Sequence, residues 1–242
     1  MEMSFETCLA FTRGEEGGYV ADPRDSGNWT SGQTGQGVLV GSNMGVGAPA
    51  LLDWMGPGAS VTAEQMRSLP LSTYEAIARS KYWTPLGCAA MPSGLDLMAF
   101  DFGWNRGPGT SLALFARCIA LETHRDALDE ETPVTTALDA LPPRTLLNRI
   151  AASRIKLLQR EMGVRIDGIV GPQTLSAFER REDLRVTALI LALATAQTTS
   201  YRALSNFSIY GSGWLARTAR RQAAALAAAQ QASSAAQLEA TV

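Results

Sequence analysis

The stretch Gly14-Glu15-Glu16-Gly17-Gly18-Tyr19-Val20-Ala21-Asp22-Pro23-Arg24-Asp25-Ser26-Gly27-Asn28-Trp29-Thr30 decides how this chain is read. Just before it, Phe5, Cys8, Leu9 and Thr12 recur at helical spacing, which predicts a helix over residues 4–13 that stops at the glycines. From residue 17 to 58 the chain is rich in Gly, Ser, Asn and Thr, with short apolar pieces such as Val38-Leu39-Val40. That composition predicts turns and two or three short strands rather than helix. Glu16 therefore ends an amphipathic helix, and Asp25 follows nine residues later on a loop or hairpin. Such a placement can set two carboxylates across a cleft.

Working outward, helices dominate the rest. Thr62-Ala63-Glu64-Gln65 and Ser72-Thr73-Tyr74-Glu75 both fit the capping-box pattern, in which a hydroxyl and an acid or amide satisfy free amides at a helix start. Leu95, Met98, Ala99 and Phe102 form one apolar face of a helix begun by Ser93, which leads into Trp104-Asn105-Arg106 and breaks at Gly107-Pro108-Gly109. A further helix is expected over 110–121. Residues 122–143 are acidic, Thr-rich and end in Pro-Pro, and read as an insertion or linker. Helices are then expected over 144–162, after Pro172, from an Asp183 cap to Leu204, and from about residue 212. Beyond Gln222 the Ala/Gln/Ser-rich sequence reads as a fraying helix or tail. The division expected is a catalytic lobe over 1–121, the linker over 122–143, a helical part completing the fold over 144–221, and the tail over 222–242.

Composition removes several chemistries. The 242 residues include one histidine, His124, too few for a zinc amidase or peptidase that takes two or more His ligands. Cys8, Cys88 and Cys118 are an odd number at unpatterned spacing and read as small buried hydrophobes. The most apolar run, residues 186–196, is about half of the roughly 20 residues a membrane span requires. The N-terminus lacks the basic-then-apolar pattern of a secretory signal, so synthesis in the cytoplasm and a separate release step are expected. Residues 1–143 carry a net charge of −9 and residues 144–242 one of +7. The basic half either favours an anionic polymer such as a cell envelope or presents solvated Arg-bearing faces.

Carboxylate chemistry remains. Glycoside hydrolysis needs two acids, one protonated to donate to the leaving oxygen and one ionised to steer water or stabilise positive charge on the sugar. Glu16 and Asp25 supply such a pair, although each also has a plain role, as a helix-end surface acid and as a turn cap.

The chain resembles phage-type muramidases of glycoside hydrolase family 108. The resemblance rests on Glu16-Gly17-Gly18-Tyr19-Val20 with Asp22-Pro23, on Ser80-Lys81-Tyr82-Trp83, on Phe100-Asp101-Phe102-Gly103-Trp104-Asn105-Arg106-Gly107, and on Gly211-Ser212-Gly213-Trp214-Leu215-Ala216-Arg217. Leu158 to Val164 and Asp167-Gly168 through Thr174-Leu175 resemble the predicted peptidoglycan-binding module appended to that family. The resemblance implies a mainly α, lysozyme-like helical fold with a small β-hairpin element after the first helix and a helical C-terminal part. It implies cleavage of the β-1,4 bond between N-acetylmuramic acid and N-acetylglucosamine, with Glu16 as the acid rather than its neighbour Glu15. The separation of Glu16 and Asp25 also resembles that in phage T4-type lysozymes, which implies Asp25 as the second carboxylate and either Thr30 or Ser42 as the cleft hydroxyl, with Thr30 preferred. Tyr19, Tyr82, Trp83, Asp101 and Asn105 are placed with substrate. The aromatic pair can equally form core, and Asp101 and Asn105, one helical turn apart, can equally tie helices together.

No metal or cofactor is implied. The expected partner is bacterial cell-wall peptidoglycan, met by a monomer in the periplasm or wall after passage through a holin or export pore, with no nucleic acid and no stable membrane insertion. A phage or prophage endolysin fits best. A lytic transglycosylase, or a non-catalytic wall-binding or virion structural protein, is the alternative.

Overall fold

A computed structural model describes residues 5–122 and 186–239, together with Lys156 and Arg165. Apart from Glu122 and Lys156, the linker expected over 122–143 and the helix over 144–162 lie outside the described residues, as do the helix after Pro172, the Asp183 cap and His124. The described fold is mostly helical, with a small two-stranded antiparallel sheet and a helical C-terminal region. It divides into a smaller unit, Leu9–Lys81, and a larger one drawn from Met1–Cys8 and Tyr82–Val242. No described helix is long and apolar enough to cross a membrane.

The smaller unit begins within helix α1 (Phe5–Glu15), whose end is followed by Gly17 and Gly18. Strands β1 (Ser42–Asn43) and β2 (Val46–Gly47) form a hairpin, with Ser42 opposite Gly47 and Asn43 opposite Val46. Its two-residue loop, Met44-Gly45, has φ of 51° and 76°. Positive φ at both positions is the geometry that matches the twist of paired strands, and Met44 adopts it without glycine's freedom. The Asn43 amide donates to the carbonyls of Met66 and Arg67 at 3.0 and 2.9 Å, tying the hairpin to helix α3 (Ala63–Arg67). Helix α2 (Ala48–Met55) has Pro49 in its first turn, where the missing N–H costs nothing.

The capping box at the start of α3 is present in both directions between Thr62 and Gln65. The one expected at Ser72 is not used. Helix α4 (Leu71–Ala78) starts two residues earlier, because Pro70 already holds the extended geometry of a cap at φ −63°, ψ 141°. A wider π turn, Arg79–Trp83, follows, and then the short helix α5 (Thr84–Leu86).

The larger unit is organised on α6 (Leu95–Arg106), in which every residue from Leu95 to Trp104 is buried. A helix covered on all sides sits at the centre of its unit. Its cap is Gly94 rather than the expected Ser93, and Asp96 Oδ1 accepts the N–H groups of Gly94 and Leu97 at 2.8 and 2.7 Å. Helices α7 (Pro108–Glu122), α8 (Val186–Arg202) and α9 (Phe207–Glu239) pack on α6. Ser111 Oγ donates to the Ala99 carbonyl at 2.7 Å, and Gln197 donates to that of Met98 at 2.9 Å.

The segment beyond Gln222, expected as a fraying helix or tail, lies in a helix that runs from Phe207 to Glu239, and Ala225 is wholly buried. A Cβ on Gly94, whose φ is +92°, would come within 2.3 Å of the Ala225 carbonyl oxygen. Small residues let the two backbones approach, which places Ala225 in the core.

Candidate active site

Glu16 directly follows α1, and its N–H donates to the Thr12 carbonyl at 3.1 Å, so the helical turn carries through it. Glu16 is half-buried. The glycines after it let the chain leave the helix at once and pair Val20 with Ser42, N–H to O at 2.9 and 2.8 Å in the two directions. Tyr19, between them, donates its hydroxyl to the Val40 carbonyl at 3.1 Å, and the Arg67 guanidinium lies 4.5 Å from the centre of its ring. Gly41, at φ +87°, makes this possible. A Cβ there would come within 2.6 Å of the Val20 carbonyl oxygen and 2.7 Å of the Tyr19 ring.

Asp22, Asp25 and Thr30 follow on one tightly bonded loop. The Asp22 carboxylate pairs with Arg24 at 2.7 Å and accepts its backbone N–H at 2.9 Å. The hydrogen bonds from Arg24 hold this carboxyl down at about 2, so Asp22 stays ionised and cannot be a proton donor. Asp25 caps a short 3-10 turn (Ser26–Asn28), its Oδ1 accepting the Gly27 N–H at 2.9 Å. The carboxylate is thereby oriented and stays exposed. Asn28 is buried. Its amide donates to the Asp22 carbonyl at 3.0 Å, and its own carbonyl accepts the N–H groups of Val40 and Gly41 at 3.0 Å.

Thr30 closes the base of the loop over 31–37. Its N–H donates to the Val38 carbonyl at 3.0 Å and its Oγ1 accepts the Val38 N–H at 2.9 Å. A hydroxyl that accepts in this way still has a proton to give. Ser42, the rival, is a β1 residue whose backbone is bonded to Val20. Within the unit Leu9–Lys81, Tyr19, Asp25, Thr30 and Ser42 are thus gathered on one small β-rich element that directly follows Glu16.

The remaining sequence-predicted residues belong to the larger unit. Trp83 is buried edge-on to Phe5 and Phe100, with ring centres 5.3 and 5.6 Å apart, which makes it core. Tyr82 is half-buried beside Trp104, ring centres 4.6 Å apart. Asp101 has no exposed surface. Its carboxylate accepts Arg217 at 3.0 and 2.6 Å and Arg221 at 2.7 Å. Asn105 is exposed, and with its carbonyl turned inward it accepts the same Arg217 at 3.0 to 3.3 Å. Of the two roles open to Asp101 and Asn105, the structure therefore displays the tying of helices: α6 is clamped to α9 through Arg217. Sequence reading gave neither Arg217 nor Arg221 a role, although their i,i+4 spacing on one face was a usable signal.

All three thiols are buried and unbridged. Burial pushes Cys118 up to about 12 and raises Cys8 and Cys88 well above the usual thiol range, so none supplies a thiolate.

Residues 9–107 match the family described as Glycosyl hydrolase 108, and residues 152–219 match the Predicted Peptidoglycan domain. No curated protein matches the chain. A solved structure, titled "Structure of Brucella abortus SagA", superposes with a TM-score of 0.55 at 24% identity, covering 93% of this chain and 95% of that one. At that identity the likeness establishes a common fold. The carboxylate-bearing module and the wall-directed module together define a peptidoglycan hydrolase of the glycosidase class. The match to glycosyl hydrolase 108 covers residues 9–107 of the 242. Within the larger unit, Asp101 of the first matched segment is ion-paired with Arg217 of the second.

Proposed function

We propose that the protein is an N-acetylmuramidase that cleaves the β-1,4 bond between N-acetylmuramic acid and N-acetylglucosamine, with Glu16 as general acid. The observation that carries this reading is local. Glu16 directly follows the helix that leads into the element holding Asp25 and Thr30, inside the matched hydrolase segment.

Glu16 gives its proton to the glycosidic oxygen as the bond to the sugar breaks. Asp25, oriented by the Gly27 N–H, steers a water or balances the positive charge on the ring. Thr30 hydrogen-bonds that water. A carboxyl separation of roughly 6.5–9.5 Å during catalysis gives inversion and about 5 Å gives retention. The neighbouring Asp22 is excluded as acid by its bonds to Arg24. Tyr19 positions substrate along the same element, and Tyr82 offers a half-exposed ring in the larger unit. The biological setting proposed is a phage or prophage endolysin, acting as a monomer on the wall after passage through a separate pore.

Mass analysis of fragments from purified peptidoglycan tests the reading. A muramidase leaves reducing N-acetylmuramic acid ends. Anhydro-muramic ends would make the protein a transglycosylase, and undigested sacculi a binding protein.

A further inference from the structure

Between α7 and α8 the larger unit has a groove of about 460 Å³, a size that suits a small ligand. Arg106 and Arg117 line it together with the hydroxyl-bearing Thr110, Thr199 and Ser200 and the apolar Leu114. Among the described residues lining it there is no carboxylate. The Nε of each arginine is buried and has no hydrogen-bond partner. Two guanidiniums sharing a groove repel one another, and a buried N–H without an acceptor is costly. Both penalties vanish if an oxyanion enters. The arginine fork matches a planar carboxylate with two parallel bonds, and nearby hydroxyls can complete its coordination.

We propose that this groove binds the free carboxylates of the peptide stems on peptidoglycan. The inference rests on the wall-hydrolase reading. Its α8 wall lies within the segment that matches the Predicted Peptidoglycan domain, and the stem peptides are where that polymer carries its carboxylates. The groove shares no residue with the catalytic set, so it grips the substrate by a chemistry the glycan lacks.

The test is calorimetric titration of the full-length protein with a soluble stem tetrapeptide, the same peptide with its carboxylates amidated, and inorganic phosphate. The free-acid peptide should bind. Arg106→Gln and Arg117→Gln should each weaken it by about tenfold or more, the value of a charge-assisted bond, and Arg117→Lys by less. Amidated peptide should not bind, and phosphate should not compete at equal concentration. Equal binding of the amidated peptide, equal competition by phosphate, or full affinity in Gln variants with native melting temperatures overturns the proposal. Should the Gln variants fail to fold, the amidated peptide and Arg117→Lys still decide it. A wild type that digests sacculi but ignores stem peptide sinks this inference alone. One that binds peptide but cleaves nothing sinks the hydrolytic reading instead.

Discussion

Replacing Asp101 by Asn keeps the shape of the side chain and removes its charge. In the native structure that one carboxylate is shared by two guanidiniums, Arg221 with no exposed side-chain surface and Arg217 with 9%. Three charge-assisted bonds of 2.6 to 3.0 Å converge on it. The variant removes the charge that these two buried cations share. Breaking a buried ion pair from one side costs about 3–5 kcal/mol. For a domain of this size each kcal/mol lowers the melting temperature by roughly 2–4 °C, so a fall of about 6–20 °C is expected. Arg217→Lys, which keeps the charge but loses the two-pronged fork, should fall between wild type and Asp101→Asn. Thermal unfolding followed by circular dichroism measures the shift, with sacculus digestion below the transition as a second readout. A melting point within about 2 °C of wild type, combined with a raised KM, would refute the reasoning. It would return Asp101 to the substrate.

Gly94→Ala forces a Cβ to within 2.3 Å of the Ala225 carbonyl at a φ of +92°, and should cost more than about 2 kcal/mol by urea titration. Met44→Asn should stabilise the hairpin by about 0.5–1 kcal/mol, because Asn tolerates the left-handed φ that Met adopts at 51°. The buried thiols should resist iodoacetamide in native protein at neutral pH, and mass spectrometry should find Cys8, Cys88 and Cys118 labelled only after unfolding.

The helix running into Gly-Gly-Tyr was legible because glycines end helices regardless of tertiary context, and Thr62 because a capping box is a local bargain between neighbouring residues. Ser72 shows the limit of that logic. It carries the same pattern, but Pro70 fixes the entry geometry and starts the helix sooner. The mainly helical fold with one small hairpin was readable from periodicity and turn composition. The clamp on Asp101 was not. Basic residues in a basic half read as solvated faces, and only the packing of α9 on α6 shows that two of them are interior counter-charges. For the Ala-rich run after Gln222 the sequence left helix and tail both open; alanine is the strongest helix former and small enough to pack closely on Gly94, a contact only the fold reveals. At the site, sequence reading put Asp25 and Thr30 after the acid, but the bonds that orient them, from Gly27 and Val38, are visible only in the folded loop.

The account turns on which side chain holds the transferable proton, and release of reducing ends by Glu16→Gln beside Glu15→Gln measures that directly. With both variants melting like wild type, Glu16→Gln should fall to background and Glu15→Gln should keep most of its rate. Turnover surviving in the first, or lost in the second, contradicts it.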